Sequence, residues 1–533
     1  MYICSMEKTS FMLKYTLFIC MLLLPSTSFA QIYIDDEDED EAAKNAYLKV
    51  DLEAQASLSD NKTPLWLNAN KYGLSSLENV NGYVRASAVH EISPFDSEDE
   101  KPFDYGFGVD IAGAYGFTST LVVQQAYGEV RWQRGKLTIG SKEFPMELRD
   151  NQLSTGVQTL GINARPVPQA RLALDEYWPI PGTKGWLNLK GHIAYGVMTD
   201  NKWQKEFTLE KSKFVENGLY HSKAGYLKIG KEDYAFSFTL GGEMVTFFGG
   251  TSHVLSNGQM KTIENKSNLK AFWNAFLPTS SSGEVTETTY QNVAGNMLGS
   301  WVARIDYVND YWSAGFYFDH FYEDQSGMFF LDYDGYGSGA EWQQKKDRRF
   351  FMYKLKDMQL GFDWKSKLPS WFDSFVIEYI YTKYQSGPIY HDHTPEIPDH
   401  VCGEDNYYNN YMQTPYQHWG QVMGNPLLLS PIYNTDNMLE VKNNRIAAYH
   451  IGFGGHPTDE LSYRTLATFQ DALGTYEKPY DGYKKSFNFM AEASYKLPKH
   501  WLVTAAVGLD RGNVHGNNSG VQLTVRKSLF FNP

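Results

Sequence analysis

The sequence predicts an all-β protein, a closed antiparallel transmembrane β-barrel of about 18 strands with long outer loops plugging the lumen. Three observations predict it. Apolar and polar residues alternate with period two in run after run from residue 47 to the end, which gives each strand one apolar and one polar face. Short turn-like links at 133–135, 231–234, 309–310 and 497–500 contrast with long polar links at 198–223, 247–300, 322–348 and 385–444, the asymmetry of a membrane barrel. A short apolar leader opens the chain.

The leader comes first. Lys8 and Lys14 flank a positive start, Tyr15–Leu24 is apolar, and Ser28-Phe29-Ala30 supplies the small residues of a cleavage site. Residues 1–30 therefore read as a signal peptide removed before Gln31. Residues 31–46 carry the acidic run Asp35–Glu41 and read as a solvated tail. Cys4 and Cys20 leave with the leader, so the one remaining thiol, Cys402, has no intramolecular partner.

Residues 47–533 read as one barrel. A chain of 533 residues would suggest three or four soluble domains at about 150 residues each, but no internal linker divides it. A mean hydropathy of −0.45 excludes a bundle of transmembrane helices. The 48 basic and 62 acidic residues form no basic stripe, which argues against nucleic acid as a partner.

Alternation is clear in Tyr47–Leu58, Trp186–Val197, Ser486–Lys496, Trp501–Asp510 and Val521–Phe531. Seventeen runs are legible in all, and a barrel with both ends in the periplasm needs an even number. The eighteenth is expected within 143–185, in the stretch Leu153–Leu174. Pro166, Pro168, Pro179 and Pro181 cannot all donate to a ladder. Val167–Leu174 is therefore expected to be at most a short strand or helical turn, with Asp175–Gly185 at the periplasmic rim or in the lumen. The last strand ends on Phe530-Phe531, two residues short of the terminus.

Several phrases carry a family stamp. They are Thr63-Pro64-Leu65-Trp66-Leu67-Asn68-Ala69-Asn70-Lys71-Tyr72-Gly73-Leu74, Leu153-Ser154-Thr155-Gly156, Asn163-Ala164-Arg165-Pro166-Val167-Pro168-Gln169, Gly424-Asn425-Pro426-Leu427, Asn444-Arg445, Leu461-Ser462-Tyr463-Arg464 and Leu473-Gly474-Thr475-Tyr476. In this order and spacing they resemble the Wzi family of outer-membrane capsule-assembly proteins. The resemblance implies an 18-stranded, lectin-like barrel that holds exported capsular polysaccharide or exopolysaccharide at the cell surface and is not its export channel. It implies no enzyme activity and no cofactor. Outer-membrane lipids are the other expected partner, and the chain is expected to be a monomer.

Sugar recognition uses flat aromatic faces ringed by polar donors. The outer links offer Trp203, Trp273, Trp342 with Arg348 and Arg349, and the cluster Tyr407, Tyr408, Tyr411 and Trp419. The plainer reading is that such rings fill loop cores or form the interfacial girdle. Link 385–444 is rich in tyrosine and is expected to fold inward over the mouth and close the pore. Arginines in or beside strands, Arg165, Arg304, Arg445 and Arg464 among them, should point into the lumen, because an arginine in mid-lipid costs about 2–4 kcal/mol. There they either pair with carboxylates such as Glu129, Asp306 or Glu492 or form a basic lining for an acidic polysaccharide.

Other chemistry has little support. His391-Asp392-His393 with Glu396, Asp399, His400 and Cys402 matches no metal-ligand spacing and reads as polar loop filling. Gly335–Gly339 sits in an outer link rather than between a strand and a helix, so it reads as loop. No His-Glu-x-x-His and no Gly-x-Ser-x-Gly occurs. The rival readings are a diffusion porin and an outer-membrane lipid hydrolase.

Overall fold

The computed structural model describes residues 46–93, 102–231, 233–277, 296–323, 357–391 and 400–532. The leader, the acidic tail, Gly335–Gly339 and most of the His391–His400 segment lie outside these residues.

Eighteen strands form one closed antiparallel sheet. In chain order they are β1 (Leu48–Ser59), β2 (Val80–His90), β3 (Phe103–Tyr115), β4 (Leu121–Trp132), β5 (Gly135–Ser141), β6 (Gln169–Pro179), β7 (Leu187–Val197), β8 (Leu219–Ile229) and β9 (Phe236–Phe248). Then follow β10 (Asn296–Val308), β11 (Trp312–Glu323), β12 (Met358–Ser366), β13 (Ser374–Tyr381), β14 (Ile446–Gly455), β15 (Leu461–Gly474), β16 (Pro479–Leu497), β17 (Trp501–Gly512) and β18 (Asn518–Phe531). Each pairs with its chain neighbour, and β1 closes the ring on β18 from Leu48↔Phe531 to Ser59↔Gly520. Closure leaves no ladder edge for lipid or another chain to meet.

The eighteenth strand lies within the expected window, yet its form differs. It is a full strand, Gln169–Pro179, and not a short piece ending at Leu174. The prolines are accommodated at its margins. Pro166 and Pro168 precede it, Pro179 is its last residue, and its pairing with β7 shifts register between Leu174 and Trp178. Residues 180–186 form the turn at the end of the barrel where β1 starts and β18 ends.

The period-two pattern maps onto the wall. Val109 and Ile111 on β3, Leu172 on β6, Ile193 on β7, Leu240 on β9, Ile305 on β10, Ile451 on β14 and Leu523 on β18 face outward and exposed. At the short-turn end the exposed residues become aromatic: Trp132, Trp186, Tyr234, Phe236, Tyr311, Trp371, Trp501 and Phe531. An apolar belt edged by amphipathic rings is the surface that hydrocarbon and headgroups cover. No helix among the described residues is long and apolar enough to cross a membrane; the apolar belt is carried by the strands. Replacing outward-facing Ile451 by Arg should therefore cost about 2–4 kcal/mol. Urea titration of the barrel in vesicles checks this, with Ile451→Leu as the near-neutral control.

Candidate functional site: a plugged lumen with an aromatic outer face

Three of the links between strands turn inward. Link 60–79 contains a one-turn helix, α1 (Leu65–Asn68), whose residues are all buried. Trp66 Nε1 donates to Thr468 Oγ1 at 3.1 Å and the Leu65 amide to Asp510 Oδ2 at 3.1 Å, which ties α1 to β15 and β17.

Link 142–168 crosses the lumen without regular structure, so its backbone groups need partners from the wall. Glu378 on β13 takes one backbone amide and two hydroxyls of the link. It accepts from Thr155 N at 2.7 Å, Thr155 Oγ1 at 2.7 Å, Ser154 Oγ at 2.6 Å, and from its wall neighbours Tyr317 OH at 2.7 Å and Gln359 Nε2 at 2.9 Å. Asp319 accepts from Gln158 N at 3.3 Å, and Glu243 from Leu160 N at 3.3 Å and Tyr226 OH at 2.7 Å. Thr159 and Ser300 share a bond of 2.7 Å, and His450 Nε2 donates to Leu153 O at 2.7 Å. Gln359 of β12 donates to Gly156 O at 2.9 Å, so β9, β10, β11, β12, β13 and β14 all hold one irregular segment.

The third link, 382–445, locks onto the second. The hydroxyls of Tyr408 and Tyr416 donate to the carbonyls of Gln158 and Thr159. Asn163 Nδ2 donates to Val422 O at 2.9 Å and Asn425 Nδ2 to Thr155 Oγ1 at 3.2 Å. Gly161 allows the close approach: a Cβ there would meet Met423 O at 2.6 Å. Tyr407, Tyr408, Tyr416, Leu427 and Leu428 join Leu65, Trp66 and Leu67 in one buried cluster inside the barrel. The expected inward fold of this link is what the structure has.

The aromatic residues expected to bind sugar divide sharply. Tyr407 and Tyr408 are 0% exposed and belong to the plug, so neither can meet a ligand. Trp203 is 8% exposed, stacked on Phe207 at 4.9 Å in the helix α2 (Asn201–Thr208), and supports Gly420 from below. Trp273 lies in a helix packed on the outside of the wall against Phe248 and Tyr195, not over the mouth. Trp342, Arg348 and Arg349 lie outside the described residues. Tyr411 at 71% and Trp419 in part remain exposed.

Trp419 is presented by a built turn. It joins the two-residue strands Gln417–His418 and Gln421–Val422, with φ of +54° at Trp419 and +86° at Gly420, the left-handed pair that a tight hairpin requires. Asp200 Oδ2 accepts from Trp419 N at 3.2 Å and Gln417 Nε2 at 2.9 Å. The guanidinium of Arg165 lies 4.5 Å from the Trp419 ring centroid. Arg165 is 6% exposed and donates to Thr118 Oγ1 at 2.8 Å, while its Nε has no hydrogen-bond partner. Burial pulls it down to about 10, partly offset by Asp200.

The other arginines do not form a free basic lining. Arg304 is paired with Asp306 at 2.6 Å and Asp363 at 2.5 Å, and Arg464 with Glu492 at 2.7 Å, the carboxylate pairing that the sequence allowed. Arg445 is not in the lumen. It precedes β14 at the outer rim, stacked 3.7 Å from the Tyr476 centroid and bonded to Lys383 O at 3.3 Å. Basic character collects instead in a cavity of about 310 Å³ between link 142–168 and β5–β8, where Arg165, Arg171, Lys136, Lys142 and Lys190 face Glu143, Glu147 and Asp175. Among the described residues no group of three or more His, Cys, Asp or Glu could hold a metal ion.

Sequence reasoning missed Glu378, Asp319, Glu243 and His450. A signal was present: each sits at an inward position of a strand whose neighbours are apolar, as in Ser-Phe-Val-Ile-Glu-Tyr-Ile-Tyr.

No family model matches the chain, and no curated protein matches it. Among solved structures it is similar to Wzi of Escherichia coli, an outer-membrane protein involved in group 1 capsule assembly and described as a carbohydrate-binding β-barrel. Identity is 11% over 93% of this chain and 87% of that one, with a TM-score of 0.54. OprD of Pseudomonas aeruginosa (9% identity, 92% and 96% covered, TM-score 0.42) and OccAB2 of Acinetobacter baumannii (10%, 91% and 98%, 0.43) are also similar. The likeness is one of fold. It supports a distant relationship among outer-membrane β-barrels.

Two expectations follow. Glu378→Leu leaves five donors without their acceptor, at about 1–3 kcal/mol for each that stays buried, so segment 150–168 should become open to protease while the barrel keeps its folded gel mobility. His418 tests the hairpin. Its Nδ1 donates to Arg165 O at 2.8 Å and its Nε2 faces Thr199 Oγ1 at 3.0 Å, and burial holds it below its ordinary value. A histidine kept neutral when folded stabilises fully above its unfolded pKa of about 6.5 and loses that stability as pH falls below it. Between pH 8 and 5 the melting temperature of the wild type should drop more than that of His418→Gln.

Proposed function

We propose that this barrel is a non-enzymatic, lectin-like outer-membrane anchor that holds an acidic capsular polysaccharide or exopolysaccharide on the cell surface, as a distant member of the Wzi family. The observation that carries the reading is the filled lumen. Links 60–79, 142–168 and 382–445 interlock across it, so the outer end offers a floor and not a mouth. A diffusion porin needs the opposite arrangement.

The floor has chemistry suited to an acidic sugar. Trp419 offers an aromatic ring to sugar C–H edges. Arg165 beneath it is a buried cation with no carboxylate within ion-pair distance among the described residues, and an incoming uronate would supply one. Tyr411 extends the exposed aromatic surface. The phrases that resemble the Wzi family, Thr63–Leu74, Leu153–Gly156, Asn163–Gln169 and Gly424–Leu427, are the plug itself, which supports the kinship where sequence identity is low.

The test is retention. Trp419→Ala should weaken binding of purified barrel to the cell's own acidic polysaccharide at least tenfold, about 1.4 kcal/mol, and cells carrying it should shed capsule into the medium while still making it. Arg165→Gln should act in the same direction, and most strongly at low salt. Unchanged binding by a folded Trp419→Ala barrel would contradict the reading.

A further inference from the structure

One stretch of the outer wall is not bare. Register places Tyr195, His221, Lys223, Met244, Thr246 and Phe248 on the same outward face as the exposed Ile193, Val197 and Leu240. Yet His221, Met244, Thr246 and Phe248 are buried. His221, Thr246 and Phe248 are covered by a helix of the link after β9, α3 (Leu269–Phe276), capped by the Asn268 side chain. Tyr195 OH donates to Phe272 O at 2.9 Å, and the Phe272 ring packs on Tyr195 at 5.2 Å and edge-on to Phe248 at 5.1 Å. Lys223 Nζ donates to Phe276 O and lies 4.7 Å from that ring's centroid. The helix is therefore fastened to the outside of the barrel, at its outer end.

This helix is apolar on both sides. Ala271 and Ala275 face the wall with Phe272. The opposite stripe, at a spacing of four, is Leu269, Trp273 and Leu277, exposed by 89%, 58% and 43%. Lys266 and Lys270 flank that stripe, also exposed. A helix whose far side met water would carry polar residues there. Directly below it the wall is the bare apolar belt of Ile193 and Leu240, so the stripe continues a surface that lipid already covers.

We propose that α3 is a lipid-binding element of the outer leaflet: Leu269, Trp273 and Leu277 bed among acyl chains, and Lys266 and Lys270 meet the anionic phosphates of the headgroups. The site is independent of the polysaccharide reading and rests only on the wall crossing a membrane. It fixes the link after β9 to the leaflet and removes Trp273 from the sugar-binding surface.

The experiment uses the full mature chain with Cys402→Ser and one introduced cysteine, Leu269→Cys, carrying an environment-sensitive fluorophore. The barrel is reconstituted in phosphatidylcholine vesicles with and without phosphatidylglycerol. Lys202→Cys on the outer surface and Leu240→Cys on the belt serve as water and lipid references, and gel mobility confirms folding. We expect the label at 269 to be quenched by lipid bearing a shallow acyl-chain nitroxide, at least half as strongly as at 240, and to be shielded at least fivefold from aqueous iodide relative to 202. Phosphatidylglycerol should deepen the lipid quenching, and Lys266→Gln with Lys270→Gln should abolish that gain. Iodide quenching equal to that at 202 would overturn the proposal. Lipid quenching that ignores both phosphatidylglycerol and the lysines would overturn the phosphate contact.

Discussion

An irregular chain segment can be buried inside a membrane barrel only if the side chains around it satisfy its backbone. Neither lipid nor a ladder partner is available there, and each buried amide without an acceptor costs about 1–3 kcal/mol. Here the wall meets that demand with single inward side chains. Glu378, Asp319 and Glu243 take the amides of Thr155, Gln158 and Leu160, and His450 gives a proton to Leu153 O. These groups are spread over strands that are distant in sequence, so the segment is held from several sides at once. The loop tyrosines then close on the carbonyls that the wall leaves open, those of Gln158 and Thr159.

The plug changes what the barrel can be used for. A wall of this strand number with an empty interior is a conduit, whereas here links 60–79, 142–168 and 382–445 occupy the interior. Rigidity passes upward through named contacts. Trp203 sits under Gly420, Asp200 holds the amide of Trp419, and His418 joins the carbonyl of Arg165 to Thr199. The partly exposed indole and the buried guanidinium beneath it are thus held in place by their neighbours, an ordering that, on the proposed reading, lowers the entropic cost of contact with a ligand.

The wall was legible because period two is a direct consequence of strand geometry and needs no tertiary information. The strand number followed from it once an even count was required, and the inward fold of the longest link followed from that link's tyrosine-rich composition. What failed had a physical reason in each case. Prolines at 166, 168 and 179 argue against a strand only if they fall inside the ladder, and β6 places them at its margins, with a register shift between Leu174 and Trp178. An aromatic ring in a loop reads the same whether it is packed or presented, so Tyr407, Tyr408 and Trp203 could not be told from Tyr411 and Trp419 until the plug was seen. Arg445 looked like a lumen residue because it adjoins a strand, but it lies just past the strand's outer end. Trp273 looked like part of the mouth because its link is external, whereas register shows the covered face to be the one turned toward lipid.

The central claim is that the lumen is sealed by interlocked segments pinned to inward carboxylates. Single-channel recording on the purified barrel in planar bilayers tests it most directly. The wild type should show no steady open current across the ordinary voltage range, and removal of residues 405–430, which carry Tyr407, Tyr408, Tyr416 and Leu427, should create one. A large, stable conductance from the intact wild-type barrel would contradict the account.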